Sequence, residues 1–494
     1  MKDSLTTKPM KKTAGLIIVF IALFLGISAT RQTPPPAKKP NIVYILVDQW
    51  RAQATGYAGD KNAYTPTLDK LAAQSLNVRN AVSGMPVCSP HRASLLTGQY
   101  PLRHGVFMND VLLDTTATTL GKVYRDNGYT TGFIGKWHVD GHGRRSYIPP
   151  TRQQGFEYWK VLECTHDYNH SEYYEGASPQ RKVWDGYDVT EQTDDAIQYI
   201  KKQATQDAPF VLFISMGAPH DPYQTAPEKY RKMFENKEII LRDNVASENR
   251  ARAIETQRGY YAHMAAIDDN LAKLWQTLKA TGIEENTILV FSADHGDLLG
   301  SHGAWNKQQP YEESIRVPFL LHYPKALGTT GKTSEALLNT PDIMPTLLGL
   351  SGISIPKTVE GTDYSPVFLG KKKDQVSETL ISCVQPFGQW SRKRGGKEYR
   401  GIVTQRYTYT RDLNGPWQLF DNQTDPFQLN NLVGKKEVAS LQAELDKRLT
   451  AVLKKRKDEF RPGLEYVKKW GYVIDDTETV PYNKINYEGK PIVE

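Results

Sequence analysis

Cysteine is nearly absent from this chain: three in 494 residues, at positions 88, 164 and 383. That excludes a disulfide framework as the source of stability, and a chain this long buries a large core without one. No apolar run reaches the roughly 20 residues that a membrane-spanning helix needs. The longest, from Ala14 to Ile27, follows Lys8, Lys11 and Lys12 and ends in Ser28-Ala29-Thr30. A basic start, a short apolar run and small residues predict an export signal over residues 1–30; an uncleaved anchor is the alternative. Residues 31–40, with Pro34, Pro35, Pro36 and Pro40, read as an extended linker. A basic excess is also missing from the body of the chain. The formal charge is +7, but residues 1–40 hold seven basic side chains against Asp3, which leaves the remainder at +1. Such a balance does not describe a nucleic-acid binder. There is no internal repeat.

What is present is a recurring pattern. Asn41 to Val47 is continuously apolar and β-branched, as expected of a strand buried on both faces of a parallel sheet, and it stops at Asp48-Gln49. Tyr129 to Ile134 leads into Gly135-Lys136-Trp137-His138. Phe210 to Ser215 leads into Ala218-Pro219-His220, and Thr287 to Phe291 into Asp294-His295-Gly296. Four buried strands each deliver polar residues just past their C-terminal ends, the edge at which open α/β sheets bind ligands. Any one of these segments alone could be a solvated loop.

Helical segments are predicted between the strands over 66–74, 119–127, 190–203 and 259–281, the last with the clearest 3.6-residue period. Strands alternating with helices define an α/β domain, here placed over residues 41–370. Val317 to Tyr323 predicts a further strand. Residues 371–494 are read as a smaller domain with strands over 379–384, 401–410 and 417–421 and a basic helix over 436–457. The segment 155–185 is rich in Tyr, Trp and Phe. It suits either a sugar-stacking wall or a loop packed on its own aromatics.

The stretch Cys88-Ser89-Pro90-His91-Arg92-Ala93-Ser94-Leu95-Leu96-Thr97-Gly98 reads as a helix with Ser89 as its cap, Pro90 at its first position and Gly98 as its stop. Cys88 then lies where unpaired N–H groups favour negative charge; a buried structural cysteine is the plainer reading. The strand-end residues supply complementary chemistry. Asp48, Gln49 and Asp294 offer hard oxygen ligands, with His295 beside them. Lys136 and Lys307 can clamp anionic oxygens, and His138 and His220 can move protons near neutral pH.

Cys88-x-Pro90-x-Arg92 followed by Ala-Ser-Leu-Leu-Thr-Gly resembles the signature of the sulfatase family, with His91 where most members carry Ser. The resemblance extends from about Pro40 to Leu432. Gly135-Lys136-Trp137-His138 is similar to the second family signature, and Trp417 to Asp421 with Asp425-Pro426 is similar to the family's C-terminal domain. The family fold is alkaline-phosphatase-like: a large mixed sheet flanked by helices, with a smaller C-terminal α+β domain.

In that family the cysteine is converted by a maturation enzyme to formylglycine, whose hydrated aldehyde is the nucleophile. The resemblance implies a metal site of Asp48, Gln49, Asp294, His295 and the converted Cys88, holding calcium or another divalent cation. Many relatives have Asp in place of Gln49 and Asn in place of His295; both variants belong to the bacterial polysaccharide branch. It also implies that Arg92 holds the hydrate and that Lys136 and Lys307 bind sulfate. His138 would be the base that collapses the hemiacetal sulfate, and His220 the acid for the leaving alcohol. His302 is read as structural.

The function expected is hydrolysis of sulfate esters on a sulfated carbohydrate, outside the cytoplasm, in the periplasm or secreted. Two alternatives stand beside it. Asp48-Gln49-Trp50-Arg51-Ala52 also resembles phosphonate monoester and phosphodiester hydrolases, and an unconverted Cys88 would leave a carbohydrate-binding pseudoenzyme. Once Cys88 is converted, Cys164 and Cys383 remain, and the sequence leaves open whether they bond.

Overall fold

A strand with apolar side chains on both faces is stable only inside a covered sheet, and Asn41–Val47 (β1), buried along its whole length, sits at the centre of one. The computed structural model describes residues 38–492 together with Thr7 and Pro9, so the predicted export signal and most of the linker lie outside the described residues. The strands that follow are β2 (Leu76–Val78), β3 (Thr130–Lys136), β4 (Tyr158–Leu162), β5 (Glu172–Glu175), β6 (Arg181–Val183), β7 (Phe210–Met216), β8 (Thr287–Ala293), β9 (Phe319–His322) and β10 (Lys332–Ser334). They form one ten-stranded sheet in the order β10-β2-β9-β8-β1-β7-β3-β4-β5-β6. The four strands expected to be parallel are parallel and adjacent: β1 pairs with β7 and β8, and β3 with β7. β9 runs antiparallel to β8, which makes the sheet mixed.

Helices cover the sheet, the longest being Arg250–Ala280. It starts nine residues before the predicted boundary. Its first turns bring only Ala253 and Gln257 into the core, so they carry little apolar period to read. β11 (Thr379–Cys383), β12 (Tyr399–Val403), β13 (Tyr407–Asp412) and β14 (Gly415–Asp421) form a small antiparallel sheet. Leu445, Leu449 and Leu453, at four-residue spacing on the helix Ala439–Arg456, pack on its Leu380, Ile402, Tyr409 and Leu419.

Two sequence expectations change. Residues 401–410 were expected as one strand; the chain instead reverses between β12 and β13. The reversal has neither Gly nor Pro. Thr404 makes it, its hydroxyl accepting the N–H groups of Arg406 and Tyr407 at 3.2 and 2.7 Å. The aromatic segment 155–185 packs chiefly into the main core: Phe156 and Trp159 meet Phe133 and Trp137, Tyr168 meets His263, and Tyr173 and Trp184, stacked at 4.1 Å, pair within the segment. The three cysteines are buried and free, so Cys164 and Cys383 do not bond.

Candidate active site

Val47 of β1 lies opposite Ala293 of β8, so the next residue of each strand, Asp48 and Asp294, leaves the sheet at the same point. Both carboxylates are fully buried. Asp48, Cys88, Asp294 and His295 place one donor atom each within 4.8 Å of one another. Two buried carboxylates side by side demand positive charge. Arg92 supplies part, with its Nη2 2.9 Å from Asp294 and 3.3 Å from Asp48. Lys136 donates to Asp48 at 2.6 Å.

The demand is not fully met. Burial and the Asp48 charge raise the Asp294 carboxyl above its ordinary range. At His295 burial opposes the imidazolium, but Asp294, Cys88 and the hydrogen bond to Asp48 together outweigh it and the pKa is pushed up to about 10. A carboxylate pair, an imidazole and the residue-88 position therefore fit a divalent cation.

Cys88 is the first residue of the helix Cys88–Thr97, not the residue before it. Ser89 is not the cap, and its hydroxyl has no hydrogen-bond partner among the described residues. Asn109, from a distant loop, instead accepts the Ser89 N–H at 3.0 Å. Gly98 ends the helix at φ 65°, as expected of a C-terminal glycine. Sγ of Cys88 lies 3.2 Å from His295 Nε2 and 3.9 Å from Lys136 Nζ. Burial and Asp48 oppose ionisation of the thiol; Lys136, Lys307 and His295 prevail and hold its pKa well below the usual thiol range. His91 is also buried, and its Nδ1 meets the hydroxyls of Ser83 and Thr340 at 3.1 and 3.0 Å. Its role there is packing.

The second half of the site converges on Gln49. Its side-chain oxygen accepts from Lys307 at 2.9 Å, its amide nitrogen donates to Asp297 at 2.8 Å, and its backbone N–H donates to Asp294 at 3.0 Å. Lys307 also reaches Nε2 of His220 at 2.6 Å. Gln49 and His138 hold positive φ values of 69° and 63°, a strain of about 1–3 kcal/mol each that collects at functional positions. Gly135 brings Lys136 in. At φ 100° it lies against β7, where an added Cβ would meet the Ser215 carbonyl oxygen at 2.2 Å. His138 stands apart from this network, with Nε2 3.3 Å from Asp110, which Arg144 holds in turn at 2.8 Å. His302 is elsewhere, stacked on Tyr311 at 3.7 Å.

Several neighbours were not singled out from sequence, among them Asp297 and Asn109 above and three that flank the histidines. Asp110 supports His138. Asp221 supports His220, its Oδ1 lying 3.0 Å from Nδ1. His166 stacks parallel to His220 at 4.6 Å. Asp221 had a signal, its place in Pro219-His220-Asp221-Pro222. Asp110 and His166 had none, because each reaches the site only through folding.

A buried cysteine at a helix start, a buried carboxylate pair, two lysines and two carboxylate-backed histidines at one sheet edge fit an ester hydrolase of the alkaline-phosphatase-like kind. The sulfatase family matches residues 40–353, and the C-terminal family described as N-sulphoglucosamine sulphohydrolase, C-terminal, matches residues 300–455. The chain belongs to the sulfatase family, whose members are sulfuric ester hydrolases. It is 45% identical to an ulvan-active sulfatase of Formosa agariphila, over 97% of this chain and 94% of the relative. An endo-4-O-sulfatase of Bacteroides thetaiotaomicron is 29% identical, over 82% of this chain and 90% of its own. A structure solved with its substrate D-glucosamine-2-N,6-O-disulfate superposes with a TM-score of 0.77 at 25% identity, covering 86% and 99% of the two chains. The phosphonate monoester hydrolase of Agrobacterium radiobacter shares the fold, with a TM-score of 0.70 at 22% identity over 85% and 96%.

Proposed function

We propose that the protein hydrolyses sulfate esters on a sulfated polysaccharide outside the cytoplasm, with residue 88 matured to formylglycine and with Asp48, Gln49, Asp294 and His295 holding calcium. The observation that carries this reading is the convergence of Asp48, Asp294, His295, Arg92 and Lys136 on buried Cys88. The polysaccharide class is supported by the 45% identity to an ulvan-active sulfatase.

Sγ of Cys88 marks where a hydroxyl of the formylglycine hydrate would stand. That hydroxyl passes its proton to the Asp48 carboxylate, whose Oδ1 lies 3.7 Å from Sγ, and attacks sulfur as the bond from sulfur to the sugar oxygen breaks. The departing oxygen takes a proton from Nε2 of His220, whose ring Asp221 holds through Nδ1. His138, backed by Asp110, takes the proton of the remaining hydroxyl; the aldehyde re-forms, sulfate leaves, and water restores the hydrate. Lys136 and Lys307 offset charge on the sulfuryl oxygens. A divalent cation bound between Asp48 and Asp294 would supply Lewis-acid stabilisation of the same oxygens.

A screen of sulfated mono- and oligosaccharides, read by sulfate release, tests the function. Turnover of one or more supports it. Activity on phosphonate monoesters and none on any sulfate ester would replace it.

A further inference from the structure

A large cavity of the molecule lies apart from the catalytic pocket. It is an open groove of about 1260 Å³ lined by Arg51, Gln53, Asn80, Arg316, Gln405 and Asn422 among others, and none of the catalytic or metal-site residues assigned above lines it. The two sites share one edge of the sheet. Ser292 near the end of β8 lies opposite Phe319 at the start of β9, and Leu320 of β9 opposite Asn77 of β2. The groove thus opens over β9, β2 and β10, beside the strands that carry Asp48 and Asp294. β2 is three strands from β1, roughly 14 Å at the usual strand spacing.

The polar groups of the groove are unequally satisfied. Arg79 pairs with Glu335, Arg316 with Glu312 and Arg242 with Glu313, at 3.1, 2.8 and 2.8 Å. Arg51 is 2% exposed, yet its Nε and Nη1 donate to no acceptor among the described residues. Two residues on, the side-chain oxygen of Gln53 is also buried and accepts nothing there, while its nitrogen donates to the Glu312 carbonyl at 3.3 Å. A buried donor or acceptor left unmade is destabilising. Two unpartnered guanidinium donors and a free amide oxygen two residues apart match a ligand carrying an oxyanion and a hydroxyl. Carboxamides supply much of the remaining wall, among them Asn77, Gln405, Asn422 and Gln423.

We propose that this groove is a second, non-catalytic carbohydrate site, in which Arg51 takes the carboxylate or sulfate oxygens of an acidic sugar and Gln53 takes one of its hydroxyls. The inference rests on the polysaccharide reading above. It implies that a polymer is held at two places along one sheet edge while a single ester is cleaved.

The test is retention of the full-length Cys88→Ala protein in native gels containing dextran sulfate, alginate or neutral dextran. Retention is expected by one or both polyanions and not by dextran; dextran sulfate alone identifies a sulfate, alginate alone a uronate. Gln53→Glu, which places a carboxylate against Arg51, is expected to weaken retention ~10-fold, the equivalent of one charge-assisted hydrogen bond. Arg51→Met should do the same, and where it fails to fold Gln53→Glu decides. With Cys88 intact, Gln53→Glu should keep wild-type kcat/KM on a small aryl sulfate. Polyanion retention unchanged by Gln53→Glu, no retention at all, or equal retention by dextran overturns the site. Loss of aryl-sulfate turnover in Gln53→Glu overturns its separation from the catalytic pocket. Aryl-sulfate turnover by the wild type tests the sulfatase reading independently.

Discussion

The ammonium nitrogen of Lys307 lies 2.6 Å from Nε2 of His220. The same ring turns Nδ1 towards Asp221 at 3.0 Å, so Nε2, the nitrogen that must protonate the leaving alcohol, faces a cation that binds sulfate. The acid and the sulfate clamp form one unit.

Substrate dependence exposes that unit. A sugar alkoxide needs a proton to leave, whereas an activated phenolate needs little help. His220→Ala should slow sugar-sulfate hydrolysis by ~10²–10⁴-fold while relatively sparing an activated aryl sulfate. Lys136→Ala should slow both alike, and Lys307→Ala should fall between because it also disturbs His220. Measured kcat/KM for each variant on both substrates checks this; equal losses for His220→Ala would remove its role as acid.

Maturation is read by mass. Intact-mass analysis of active protein should place residue 88 about 18 Da below cysteine, since the hydrated aldehyde is the nucleophile. Cys88→Ala should abolish turnover. Full activity from protein whose residue 88 is unmodified cysteine contradicts the mechanism.

Metal removal should show in stability as well as activity. Calcium at 100 times its dissociation constant stabilises the fold by roughly 2.7 kcal/mol, so the chelated protein should melt lower and recover on calcium addition. Asp294→Asn should lose most of this calcium-dependent shift. Equal melting temperatures with and without calcium would remove the ion from the site.

Asp188, at the start of the helix Asp188–Gln203, gives a pH-dependent prediction. Burial pushes its pKa from 3.8 up to about 8. Between those values the folded state holds a proton that the unfolded state has released, so stability falls as pH rises, by up to ~1.4 kcal/mol per pH unit. Asp188→Asn cannot ionise in either state. Its advantage over wild type should therefore grow between pH 5 and pH 7.5 in chemical denaturation; a constant difference would refute the assignment.

The sequence by itself determined the central strands and the residues that follow them. A strand buried on both faces must be apolar throughout, so the break into Asp48-Gln49 or Asp294-His295 is visible without any knowledge of neighbours. The Cys88 helix was legible for the same local reason, though its start was misplaced because Asn109 caps it from outside the segment.

Only the tertiary structure decided which strand ends meet. Strand order and register follow from pairing between segments far apart in the chain, and it is the opposition of Val47 to Ala293 that turns two aspartates into one site. Asp110 and His166 gain their roles in the same way. So do the unmet hydrogen bonds of Arg51 and Gln53, since burial that leaves a polar atom without a partner is a property of the packed fold and not of any residue in it.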